Sequence, residues 1–114
     1  MPSSVTDVKL SIGRNEAGQW TLSRSNTKMF RGKKVTFSPK FTRFDSRNDV
    51  AKAFVLNLFR INQSFSEVKK YELKDFNKII ISLDWVIMKA HDADSWLSNR
   101  ISYWKVEAIR AYER

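Results

Sequence analysis

Cysteine is absent from the 114 residues of this chain. Disulfides and thiolate metal centres are therefore excluded, and the composition fits a reducing compartment. Glycine and proline are scarce, at three and two residues, which leaves little material for long flexible linkers. Histidine occurs once, as His91. Long apolar runs are missing as well. The longest unbroken ones are Ala53 to Leu56 and Trp85 to Met88, far short of the roughly 20 residues that span a bilayer. The N-terminal stretch MPSSVTDVKLSI has no basic segment followed by an apolar run, so no signal peptide is expected. The expectation is a soluble intracellular protein, cytoplasmic or nuclear, with no membrane insertion. Glycine-rich phosphate loops, nucleophile elbows and metal-binding helix motifs are also lacking. The reading is therefore of a protein that is not an enzyme and needs no cofactor.

Acid is scarce relative to base. Lys and Arg total 21 against 12 Asp and Glu, a net charge of +9. The excess is concentrated in one stretch, RSNTKMFRGKKVTFSPKFTRFDSR, from Arg24 to Arg47. It holds Arg24, Lys28, Arg31, Lys33, Lys34, Lys40, Arg43 and Arg47 against the single acid Asp45. The rest of the chain is nearly neutral. Concentrated positive charge favours nucleic acid, an anionic membrane face or an acidic protein as partner. Four phenylalanines, Phe30, Phe37, Phe41 and Phe44, lie within the same stretch.

The hydrophobic pattern predicts one α+β domain over residues 1–114. A three- to four-stranded antiparallel β-meander fills residues 1–44, and three α-helices follow in residues 45–114. Val8, Leu10 and Ile12 alternate with polar residues, as do Trp20 and Leu22, which is the period of half-buried strands. Gly13 to Gly18 reads as the turn between them, and Ser25–Asn26–Thr27 as another turn. Arg31–Gly32–Lys33–Lys34 reads as a hairpin tip, with Gly32 free to take the positive φ of a tight turn. Val35, Phe37 and Phe41 then alternate against Thr36, Ser38, Lys40 and Thr42. Pro39 interrupts them, so this strand is an edge or carries a bulge.

At Asp45 the period changes. Ser46 or Asp45 can cap a helix running to about Ile61, with Val50, Phe54, Leu58 and Ile61 as its stripe. Ser64 and Glu67 form a second capping pattern, and Phe65–Lys70 reads either as first helical turns or as an extended connector. A strong stripe from Phe76 to Ala90 predicts a helix over Tyr71–Ala90. Asp92 or Asp94 can cap a last helix that carries Leu97, Ile101, Trp104, Ala108 and Tyr112.

Three features carry functional expectations. Lys9, Ser11, Thr21, Ser23, Thr36, Ser38 and Lys40 fall opposite the apolar residues of their strands and form a face suited to phosphate oxygens. Alternation assigns Trp20, Phe37 and Phe41 to the core and leaves Phe30 and Phe44 as exposed stacking candidates. Trp85, Trp96 and Tyr103 lie off the stripes of their helices. His91, Asp92 and Asp94 are a minor candidate for metal binding, while a helix cap also accounts for the aspartates. Asp84, inside IIISLDWVIM, is expected as a buried acid paired with a cation. The leading function is nucleic-acid binding, to DNA or RNA, by Arg24, Lys28, Phe30, Arg31, Lys33, Lys34, Lys40, Arg43 and Arg47. The alternative is a protein-binding regulator or inhibitor that meets an acidic partner through its Trp-rich helical half.

Overall fold

A computed structural model describes residues 7–62 and 64–114. The residues before Asp7, and with them half of the stretch read for a targeting signal, lie outside the described residues, as do the side chains of Asp7 and Val8. The chain divides into two compact units, residues 1–46 and 47–114. The first is a four-stranded antiparallel sheet and the second is helical.

The sheet comprises β1 (Asp7–Arg14), β2 (Trp20–Phe30), β3 (Lys33–Thr36) and β4 (Lys40–Phe44). β2 is its spine. β1 pairs along one edge, from Asp7 opposite Thr27 to Arg14 opposite Trp20. β3 and β4 share the other edge. β1 runs through Gly13, so the first turn is shorter than its composition suggested. Asn15 closes it: its carbonyl accepts from Gly18 N at 3.0 Å, and its side-chain Oδ1 accepts from Gln19 N at 3.0 Å. Ser25–Asn26–Thr27 is not a turn. These residues lie inside β2, where Lys9, Val8 and Asp7 face them, and ladder pairing overrides their turn preference.

The second hairpin is closed by Phe30 opposite Lys33. Its two-residue tip, Arg31–Gly32, has φ of 51° and 78°. Positive φ at both positions is the hallmark of the primed turns whose twist suits a two-residue hairpin.

β3 ends at Thr36, opposite Thr27, and β4 begins at Lys40, opposite Arg24. Three residues, 37–39, therefore stand against two, Ser25 and Asn26. Phe37 N donates to the Asn26 carbonyl at 2.9 Å, and Pro39 has no N–H to offer. This is a β-bulge, and its extra residue reverses the alternation beyond it.

In the helical unit, α1 spans Arg47–Leu58, a 3₁₀ segment spans Phe65–Lys70, α2 spans Leu73–His91 and α3 spans Ser95–Glu113. α1 stops three residues short of Ile61. Arg60 takes φ 55°, Arg60 N donates to the Asn57 carbonyl at 3.0 Å, and Ile61 N to the Leu56 carbonyl at 3.1 Å. This is a Schellman motif, formed with arginine where glycine is usual. Ser64 caps the 3₁₀ segment by accepting from Ser66 N at 3.2 Å. Asp94 caps α3 by accepting from Leu97 N at 3.1 Å.

Leu83, Ile101, Phe59, Val50, Val55 and Val68 are the largest fully buried apolar side chains in this unit. Phe59 stacks on Phe76, and Phe76 on Tyr112, with centroids 5.5 Å and 4.0 Å apart. Ser98, fully buried, donates from Oγ to the Ile87 carbonyl at 2.7 Å and ties α3 to α2.

Candidate nucleic-acid interface

Residues directly opposite one another across a ladder share a face. On one face of the sheet lie Leu10, Ile12 and Arg14 of β1, Trp20, Leu22, Arg24, Asn26, Lys28 and Phe30 of β2, Lys33 and Val35 of β3, and Lys40, Thr42 and Phe44 of β4. The other holds Lys9, Ser11, Thr21, Ser23, Ser25, Thr27, Met29, Lys34, Thr36, Phe41 and Arg43.

The expected hydroxyl face therefore exists in part. Lys9, Ser11, Thr21, Ser23 and Thr36 do share a side, and the Thr27 and Thr36 hydroxyls lie 3.2 Å apart. Lys40 does not belong with them: the bulge turns it and Thr42 to the Leu22 side and turns Phe41 to the hydroxyl side. Phe41, expected in the core, is 66% exposed, and Phe37, also expected there, is 50% exposed. Phe30 is exposed as expected, at 62%. Phe44 is half-buried opposite Trp20 rather than exposed.

Of the nine proposed binding residues, five share the Leu22 face: Arg24, Lys28, Phe30, Lys33 and Lys40. Arg24 and Lys40 stand directly opposite each other. Among the described residues no Asp or Glu holds a strand position on this face. Arg24 Nε and Asn26 Oδ1 are buried and have no hydrogen-bond partner. Lys28 Nζ lies 5.7 Å from the Phe37 ring centroid, and the Arg31 guanidinium 5.4 Å from that of Phe30. These are cation–π distances. Lys34 and Arg43 lie on the opposite face, beside Met29 and Thr21. Arg47 belongs to α1 in the helical unit, where it pairs with Asp94 at 3.5 Å and sits over the Trp96 ring at 5.1 Å.

The remaining candidates lie in the helical unit. His91 Nδ1 is 3.7 Å from Asp92, and both side chains are exposed. Asp94 serves as a cap and as the partner of Arg47. Among the described residues no three His, Cys, Asp or Glu side chains are grouped to hold a metal ion. Asp84 is paired as expected, with Lys105 Nζ at 2.8 Å, but its side chain is 54% exposed rather than buried. Trp85, Trp96 and Tyr103 are all exposed. α2 also carries Ile81 and Met88 exposed beside Trp85, one turn apart on the side opposite Leu83. The sequence set Trp85 off the main stripe but gave no sign of Ile81 and Met88 beside it, because the run from Ile79 to Met88 is almost continuously apolar and the inward stripe masks them.

Among the described residues no helix is long and apolar enough to cross a membrane. No family model, curated protein or solved structure matches the chain.

Proposed function

We propose that this is a non-enzymatic nucleic-acid-binding protein, and that the Leu22 face of the β2–β3–β4 sheet holds the phosphate backbone of DNA or RNA. The observation that carries the reading is the pair Arg24–Lys40. Like charges directly opposite in a ladder are destabilising, and a buried arginine N–H without an acceptor costs more again. Phosphate oxygens beside the two cations relieve the charge repulsion, and the neutralised backbone releases condensed counterions. Lys28 and Lys33 extend the same face towards the Arg31–Gly32 tip.

Salt dependence tests it. Affinity should fall with salt at a log–log slope of about −0.9 per phosphate contact on duplex, or about −0.7 on single strands. Replacing Lys28, Lys33 and Lys40 together by Ala should flatten that slope by roughly one unit for each of them that touches phosphate. Replacing Lys69, Lys70 and Lys74 removes the same charge from the helical unit and should change little. Equal loss in both variants would reduce the effect to net charge, and a parent that binds no nucleic acid at low salt would end the proposal.

A second reading rests on α2. Ile81, Trp85 and Met88 are 57%, 56% and 59% exposed, with the exposed Lys74, Lys78 and Lys89 along the same side. That pattern suits an acidic amphipathic helix laid along the stripe. A glutamate-flanked amphipathic peptide should bind the parent and not a Trp85→Ser/Met88→Ser variant. Failure to bind the parent removes this reading.

A further inference from the structure

We propose that the Leu22 face takes single-stranded rather than duplex nucleic acid, with Phe30 and Phe37 as base-stacking platforms. This rests on the nucleic-acid reading above and narrows it to one class of ligand. Two exposed phenyl rings and the partly exposed Val35 cluster around the β2–β3 hairpin. Phe30 is on the Leu22 face by its pairing with Lys33, and Val35 by its pairing with Lys28. Lys28 also lies over the Phe37 ring, which brings that ring to the same cluster. Apolar rings gain nothing from a phosphate backbone, and in a duplex the base faces are already covered by their stacked neighbours. Only edges and phosphates remain on offer there. An unpaired strand presents bare π-faces, and aromatic side chains flanked by cations are what such a strand stacks on. Each ring here has its cation at hand: Arg31 beside Phe30 and Lys28 beside Phe37. The same cations can then reach the phosphates on either side of a stacked base.

The experiment is fluorescence anisotropy with a labelled oligothymidylate and with a mixed-sequence duplex of equal length, at matched salt. The single strand should bind at least about tenfold more tightly. Each ring replaced by Ala should cost roughly five- to 150-fold on the single strand, the range found for base–aromatic stacking. The salt slope and the duplex affinity should stay unchanged. A Phe30→Tyr/Phe37→Tyr variant should bind the single strand like the parent, which guards against a loss caused by misfolding. The inference is overturned if the duplex binds as tightly as the single strand, or if the Ala variants bind the single strand like the parent. Either result leaves phosphate binding by the sheet standing. A parent that binds neither probe overturns the nucleic-acid reading and this inference together.

Discussion

Phe41 lies directly opposite Ser23, and Ser23 opposite Ser11, in three adjacent strands. A large ring thus stands on the hydroxyl-bearing side of the sheet, 66% exposed, away from Phe30. Phe41→Ala should leave both the stability and the single-strand affinity close to those of the parent, within about 0.5 kcal/mol. Anisotropy on the same oligothymidylate checks it. A loss as large as that of Phe30→Ala would move the binding surface to the other face.

Lys40→Glu separates stability from function. A carboxylate opposite Arg24 turns a like-charge pair into an attractive one and should raise stability by about 0.2–1 kcal/mol. The same change should weaken nucleic-acid binding and flatten its salt slope. Urea melts and anisotropy measure the two effects. Weakened binding together with weakened stability would point to damage of the sheet instead.

The helical core predicts a contrast between neighbours. Leu83 is fully buried and Phe54 is 6% exposed, whereas Ile81 is 57% exposed. Leu83→Ala and Phe54→Ala should each destabilise by about 2–5 kcal/mol. Ile81→Ala should stay within about 0.5 kcal/mol. Equal melting temperatures for all three would contradict the burial pattern of α1 and α2.

Asn48 joins α1 to α3. Its Oδ1 accepts from Arg100 Nε and from Trp104 Nε1, the latter at 3.2 Å. Asn48→Ala strands both half-buried donors and should cost about 1–3 kcal/mol. Denaturant unfolding followed by tryptophan fluorescence reads the loss. An unchanged midpoint would mean that water replaces the amide without penalty.

Tyr71 sets an alkaline limit. Its hydroxyl donates to the Phe59 carbonyl, and its own carbonyl accepts from the Tyr112 hydroxyl at 3.0 Å. Burial raises its pKa above 10.0; Arg60 pulls it down and Asp75 pushes it up further. The folded state thus keeps the proton after the unfolded chain has begun to lose it. The stabilisation is complete below about pH 10 and is lost as pH rises through the folded value. In Tyr71→Phe the stability should fall at neutral pH by about 0.5–1.5 kcal/mol for the missing hydrogen bond. The variant should then decline less than the parent above pH 10. Urea midpoints across that range test the sign.

Much of the fold was legible because it is local. Period-two alternation marked β1 and β2, Gly32 marked the hairpin tip, and the stripe from Phe76 to Ala90 marked α2 to within two residues of its ends. Asp94 was readable as a cap since an aspartate ahead of Leu97 offers the right acceptor. Other features were hidden because no single residue announces them. Ser25–Asn26–Thr27 has turn composition, yet pairing with β1 holds it in a strand. Arg60 ends α1 in a left-handed conformation that glycine normally signals, and buried Leu56 and Ile61 flank that end instead.

The sequence by itself determined the order of strands and helices, the concentration of charge between Arg24 and Arg47, and the exclusion of thiol chemistry. Those follow from composition and from periods that each segment carries within itself. Tertiary structure alone decided which cations share a face. Side-chain direction beyond Thr36 depends on how many residues the β3–β4 edge places against Ser25 and Asn26. The edge places three against two. That one-residue excess turns Phe41 away from Phe30 and sets Lys40 against Arg24, because a strand that gains a residue relative to its partner reverses every side chain that follows.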